Sequence, residues 1–390
     1  MPPRRTDRNR RRGWKPSDSR ESRTYRPEVA PSVPVQRRLA LPSLTGLRFV
    51  AAAAVVAHHT VGWQAPVLGL GYLGVSFFLV LSGFVLTWAG SMRDGSQMFW
   101  RHRLARIYPL HLVTLLVVLA LPVRTPAGAT DVLQHVLLVQ AWTPDAAVAA
   151  NPVSWSLSAE AFFYLLFPLL LPALQRLSNR GLVCACVLLW LVQAEVALLL
   201  LAGTPLGHFL TYDLPLFRLP EFLIGAAAAL LLSRGYSPAS TPRLAWAAAA
   251  ALGTVVLVGA QMSAGVGVPW SLSATLALPA TIGTICWAAA RDAAGRSPRA
   301  LASPLAQRLG AWSFAVYLIH WPLLDLLAQA LGRDEVGGLR WWWTPLVLVA
   351  STLLAAGAHR WVERPTERWV RHRGFRTSTS GVPQARPLSV

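Results

Sequence analysis

Hydrophobic residues run along this chain in long, nearly uninterrupted blocks. Blocks long enough to cross a ~30 Å hydrocarbon core fall at 44–63, 71–90, 104–122, 155–175, 181–202, 214–232, 244–261, 271–290, 310–330 and 341–360. Each predicts a transmembrane helix. The apolar run 132–142 is too short to span and carries Gln134 and His135, so it predicts an interfacial or re-entrant piece. The expected fold is all-α, a polytopic transmembrane bundle of about ten spans over residues 41–373. Residues 1–40 and 374–390 are rich in Arg, Pro and Ser and lack apolar runs. They are expected to be disordered tails, the first too long and polar for the start of a signal peptide.

Composition supports the membrane reading. Of 390 residues, 54% are hydrophobic and 14% charged, and mean hydropathy is +0.43. Soluble domains carry about 25% charged residues. The net charge of +19 would suggest nucleic acid in a soluble protein, but here much of it lies in the tails, and no nucleic-acid partner is expected. With both termini in the cytoplasm, the inner segments hold Arg4 to Arg48, Arg93 to Arg106, Arg176, Arg180, Arg234, Arg243, Arg291 to Arg308 and Arg360 to Arg386. The outer loops hold only Arg124, Arg333 and Arg340. That asymmetry follows the positive-inside rule and sets the expected orientation in a bacterial inner membrane. Basic residues are nearly all Arg and Ala is abundant, as in GC-rich bacterial coding. Cys184, Cys186 and Cys286 lie inside apolar runs, which argues against a disulfide framework or a zinc site; no metal is implied. The chain shows no internal repeat of the kind that marks many transporters.

Ionisable residues inside spans are costly and mark function by default. Arg48 and His59 share the first span. Eleven positions bring them back to within roughly 20° of one helix face, ~16 Å apart along the axis. His58 is rotated ~100° away. A snorkelling Arg and a hydrogen-bonded structural His is the bland alternative. In Trp155-Ser-Leu-Ser-Ala-Glu160-Ala-Phe-Phe-Tyr164, the residues Ser156, Glu160 and Tyr164 share a face at i, i+4 and i+8. Glu160 lies about one turn into its span, at a depth compatible with His59, so a carboxylate–imidazole pair is expected. A polar knot between helices is the competing reading.

Arg103 and Arg106 open the third span at i, i+3. Their forks suit phosphate oxygens, and a helix N-terminus would add partial positive charge. On charge alone, ordinary positive-inside anchoring is the better reading of the pair. Arg218 and Glu221 are spaced for an i, i+3 ion pair, with Gly225 permitting close helix approach. Tyr317 and His320 share a face, and Glu363-Arg-Pro365 reads as a cap and anchor at the last helix end.

In order along the chain stand Leu44-Thr-Gly-Leu-Arg48 with His59, Gly74-Val-Ser-Phe-Phe-Leu-Val-Leu-Ser-Gly83-Phe, and Arg103-x-x-Arg106-Ile-Tyr-Pro109. Trp155-Ser-Leu-Ser-x-Glu160, the segment Arg218 to Gly225, Tyr317-Leu-Ile-His-Trp-Pro322 and Glu363-Arg-Pro365 follow. Over about residues 41–370 this series resembles the acyltransferase 3 family of integral-membrane O-acyltransferases. Each motif alone is weak; seven in order are not.

The resemblance implies transfer of an acyl group, commonly acetyl, from acyl-CoA as co-substrate to a hydroxyl. The acceptor would be a glycan, a lipid-linked sugar or an antibiotic-like metabolite. His59 would be the catalytic histidine and Glu160 the essential carboxylate. Arg48, Arg103 and Arg106 would serve the coenzyme A end. Trp155, Ser156, Ser158, Tyr164, Arg218 and Glu221 are the candidate substrate contacts. Departures are Thr45, where the family often has Asp, and Ala161-Phe162, where it often has Glu-Gln. The Glu-Ala-Phe-Phe-Tyr form is similar to the antibiotic-modifying branch. Some members carry a soluble hydrolase-like domain after the last span, and none is expected within the short tail here. The rival function is a proton-coupled transporter or flippase using His59 and Glu160 as a proton relay; a sensor without activity is a third. Oligomeric state is not legible.

Overall fold

A computed structural model describes residues 40–62, 66–121, 127–199, 205–236, 270–333, 336 and 338–369. The span expected at 244–261 and the tail segments 1–39 and 370–390 lie outside them. Among the described residues nine helices are long and apolar enough to cross a membrane, one for each of the other nine expected spans. We number the helices that build the site α1 (Pro42–Val61), α2 (Leu73–Trp88), α3 (Gly95–Ala120), α4 (Ala129–Val136), α5 (Trp155–Arg176), α6 (Asn179–Leu199), α7 (Pro215–Ser233), α8 (Trp270–Ala293), α9 (Pro304–Ala330) and α10 (Trp343–Ala358). Only α4, at eight residues, is too short to cross. All are helices because a bilayer leaves no water for backbone groups, which must then pair within each segment.

Lipid removes the hydrophobic drive between helices, so close packing has to replace it. The tightest seam is α2 against α7, built on two glycines. A Cβ at Gly83 would lie 1.9 Å from the Phe222 carbonyl oxygen, and one at Gly225 would lie 2.0 Å from that of Val80. Only hydrogen fits at either place. Buried Phe163 and Phe222 pack beside this seam, their rings tilted by 33° with centroids 5.1 Å apart. On the other side α1 packs against α9, and α9 against α10. Asp292 of α8 accepts from the Ser43 amide at 2.8 Å and from its hydroxyl at 2.5 Å, fixing the start of α1.

Helix α3 begins nine residues before the apolar run that announced it, at Gly95. Arg103 and Arg106 therefore sit two to three turns inside the helix, not at its N-terminus. The dipole contribution expected there is lost, because it fades within the first turn.

The short run after α3 folds as α4 followed by single turns, Gln140–Trp142 and Pro144–Val148. Buried polar side chains pin it. The His111 ring donates to the His135 carbonyl at 2.8 Å, and Gln140 donates to that of Ser154 at 2.8 Å. Burial lowers the pKa of His135 to about 4 and keeps the ring neutral. Asn151 donates to the Leu318 carbonyl at 3.0 Å. That carbonyl loses its ordinary helical donor because Pro322, four residues on, has no N–H.

Candidate functional site

Among the described residues two cavities stand out, and the expected donor and acid–base residues divide between them. The first has about 820 Å³ of space, part of it open to solvent, and is lined by Arg48 from α1, Ser82 from α2, Arg103 and Arg106 from α3, and Phe314 and Tyr317 from α9. Ser156, Glu160 and Tyr164 complete it from one face of α5. Arg106 is held from two sides. Its Nη1 lies 3.3 Å from Glu363 Oε2 and 2.9 Å from Glu367 Oε1, and its guanidinium covers the Phe314 ring at 5.6 Å. Glu363 is thus more than a helix-end anchor. It is buried, accepts from His359 Nδ1 at 2.5 Å, and places Arg106.

Arg48 donates from Nε to Ser313 Oγ at 3.2 Å. Arg103 has a buried Nε with no hydrogen-bond partner. Glu160 is hydrogen-bonded to the Tyr164 hydroxyl, which also meets Ser82 Oγ at 3.2 Å. Arg48, Arg103 and Arg106 all act on Glu160 electrostatically, yet no ion pair within 4.0 Å forms between Glu160 and any of them among the described residues. The cavity therefore presents two guanidiniums, Arg48 and Arg103, that no carboxylate neutralises directly.

The second cavity is larger, about 1500 Å³ of space, part of it open to solvent. His58 and His59 from the end of α1, Tyr72, Trp155 from α5, His208, Tyr212 and Asp213 from the turns before α7, and Trp321 from α9 all line it. His59 Nδ1 lies 2.9 Å from His320 Nε2, and its ring meets Trp321 edge-on at 5.1 Å. His58 donates from Nδ1 to the Gly69 carbonyl at 2.6 Å. Val75 and Tyr317 line both cavities. The Tyr317 hydroxyl donates to the Val153 carbonyl at 2.7 Å and accepts from Ser156 at 3.0 Å, which locks this shared wall.

The expected pairing of His59 with Glu160 is not there. Glu160 faces the arginine cavity and His59 the histidine cavity. Matching depth along two helices does not fix which neighbour each side chain meets, and here His320 takes the place beside His59. Among the expected substrate contacts, Trp155 lines the histidine cavity, and Ser156 and Tyr164 the arginine cavity.

Arg218, Glu221 and Ser158 line neither. All three are 0% exposed. Arg218 Nη1 pairs with Glu221 Oε1 at 2.9 Å, and its Nη2 donates to Ser76 at 2.9 Å. The guanidinium sits 5.0 Å from the Tyr212 ring and 5.8 Å from that of Trp155, so it supports the aromatic wall from behind. Ser158, two positions from Ser156, points to the opposite side of α5, and its hydroxyl lacks a partner. Tyr72, Tyr212 and Asp213 are cavity residues outside the quoted motifs, and Trp321 lies in one of them without having been assigned a role. A Tyr-Asp pair immediately before Leu214-Pro215 carried a usable signal, since an acidic residue at a span boundary needs a partner. Among the described residues no cluster of three or more His, Cys, Asp or Glu is arranged to hold a metal.

The structure is thus a multi-pass membrane bundle in which a cationic cavity backs onto a histidine-bearing one. The chain belongs to the acyltransferase 3 family, whose model, described as an acyltransferase domain, matches residues 41–360. It is similar to acyltransferase MdmB of Streptomyces mycarofaciens, 34% identical over 371 residues that cover 85% of this chain and 93% of the relative. It is also similar to peptidoglycan O-acetyltransferase OatA of Listeria monocytogenes, 27% identical over 366 residues, 86% of this chain and 56% of the relative. O-acetyltransferase OatA of Staphylococcus aureus is 28% identical over 194 residues, 44% of this chain and 30% of the relative. The chain thus spans about half the length of the Listeria protein. No solved structure is matched. The protein is a membrane O-acyltransferase.

Proposed function

We propose that the enzyme takes an acyl group, acetyl in the first instance, from acyl-CoA in the arginine cavity. It passes that group to a hydroxyl held in the histidine cavity. The observation that carries this reading is the shared wall: Val75 and Tyr317 line both chambers, which sets a cationic donor site back to back with a chamber that presents a base. Arg48 and Arg103, without carboxylate partners within ion-pair distance, suit phosphate oxygens, and Arg forks bind these through two parallel hydrogen bonds. Arg106, already held by Glu363 and Glu367, adds charge at a fixed place. Glu160 sits among the three and keeps their charge oriented.

His59 Nε2 takes the proton of the acceptor hydroxyl as its oxygen attacks the thioester carbonyl. The tetrahedral intermediate collapses, the C–S bond breaks, and the coenzyme A thiolate leaves and recovers that proton from His59. An ester and a free thiol result, with no net proton change. Tyr72, Trp155, Tyr212 and Trp321 offer aromatic faces and hydroxyls to an acceptor that is broad, polar at its edges and apolar on its faces. A glycan, a lipid-linked sugar or an antibiotic-like metabolite has that character. The charge asymmetry between loops supports cytoplasmic termini in an inner membrane, with the arginine cavity toward the cytoplasmic donor and His59 toward the outer face.

Thiol release from acetyl-CoA by the detergent-solubilised protein tests the reading. Wild type should release thiol, slowly to water and faster with an acceptor, and His59→Ala should not. A wild type that leaves acetyl-CoA intact refutes the donor assignment.

A further inference from the structure

We propose that His320 is the positioning residue for His59, holding it in the tautomer that leaves Nε2 unprotonated to act as the base. This rests on the reading of His59 as the base. His320 is 0% exposed, on α9, in the middle of the bundle. Its Nδ1 lies 2.6 Å from the carbonyl oxygen of Tyr317 and 3.3 Å from that of Val316. Carbonyl oxygens only accept, so the proton of a neutral His320 sits on Nδ1. Its Nε2 is then a bare lone pair. That lone pair is 2.9 Å from His59 Nδ1, which must donate to it. The His59 proton is thereby assigned to Nδ1, and Nε2 is left as the unprotonated nitrogen.

His59 lines the histidine cavity, and among the described residues His320 is its only hydrogen-bond partner. Its free Nε2 lone pair is therefore the one available to the cavity. A chain runs from backbone carbonyl to His320 to His59 to the acceptor hydroxyl, each member fixing the next. It does the orienting that a carboxylate does in other acid–base pairs, without placing a negative charge in the apolar interior, where an ionised carboxylate is costly. When His59 takes the acceptor proton on Nε2, its Nδ1–H keeps donating to His320. The imidazolium keeps its hydrogen bond, and the proton returns from Nε2 to the leaving thiolate. Trp321 against the edge of the His59 ring holds its plane.

The test is steady-state thiol release from acetyl-CoA by solubilised full-length variants, with retention in detergent checked by size exclusion. His320→Leu removes the acceptor for Nδ1–H. His320→Gln restores one, because its Oε1 falls close to the place of Nε2. His320→Asn is equally polar but too short to reach. Leu and Asn should lower kcat by about 10²-fold, the scale of a misplaced general base, with the acetyl-CoA KM within about twofold of wild type; Gln should recover most of the loss. Should Leu not fold, the contrast between Gln and Asn decides. Wild-type kcat in Leu or Asn, Gln no better than Asn, or a loss that falls on KM instead of kcat overturns the proposal. Activity retained by His59→Ala, or no thiol release by wild type, fails the base reading itself and is told apart from those results.

Discussion

The two cavities share a wall and little else. The arginine cavity is built from long charged side chains, and its charges are left incompletely matched: Arg106 has two carboxylates, Arg48 a serine, and the Arg103 Nε nothing. The histidine cavity is built from rings, and its key polar groups are tied in sequence to backbone carbonyls. Unmatched guanidiniums in a low-dielectric interior are costly unless a ligand completes them. A neutral hydrogen-bonded chain is stable as it stands and has one nitrogen free. The first arrangement is suited to binding a fixed charge, the second to moving a proton.

That contrast can be broken or sharpened by substitution. His59→Ala should lower kcat for thiol release by about 10³-fold, within the range of general-base loss, and His58 should not substitute for it because its Nδ1 is committed to Gly69. Next in size, Arg103→Gln with Arg106→Gln should raise the acetyl-CoA KM by roughly 10²-fold, through loss of the direct Arg103 contact and of the fixed Arg106 charge, about 1.5 kcal/mol each. A short acetyl-pantetheine thioester should be a poor donor for wild type and nearly insensitive to the pair. Arg103→Lys should recover part of the loss, since Lys brings a point charge without the fork.

Glu160→Gln should weaken donor use, and its effect should add to that of Arg-independent changes at His320. Sites in separate cavities with no direct contact combine nearly additively, whereas a His59–Glu160 unit would not. Smallest of all, Ser158→Ala should leave both kinetic constants and thermal stability near wild type, because it removes a buried hydroxyl that already lacks a partner.

Sequence and structure agree where physics is local. Apolar block length announces each described span, and the i, i+4, i+8 spacing of Ser156, Glu160 and Tyr164 puts all three on one cavity wall. The Gly225 seam and the Arg218–Glu221 pair follow from spacing and residue size in the same way. What was not legible is which helix each face meets. Depth along α1 and α5 suggested His59 beside Glu160, but α9 lies against α1 and carries His320 to that place. The start of α3 was misplaced for another reason. Hydropathy marks where a helix enters lipid, while the helix itself continues through polar residues such as those from Gly95 to Arg103. Glu363 was undervalued because a residue at a helix end looks like an anchor until the helix it reaches, here α3, is known.

Equilibrium binding of coenzyme A itself to the solubilised protein tests the division of labour most directly, since it needs neither turnover nor a known acceptor. His59→Ala and His320→Leu should bind coenzyme A as wild type does, while Arg103→Gln with Arg106→Gln should bind it at least about tenfold more weakly, a difference of roughly 1.4 kcal/mol. Wild-type affinity in the arginine variant, together with weakened binding in His59→Ala, would place the donor in the histidine cavity and contradict the account.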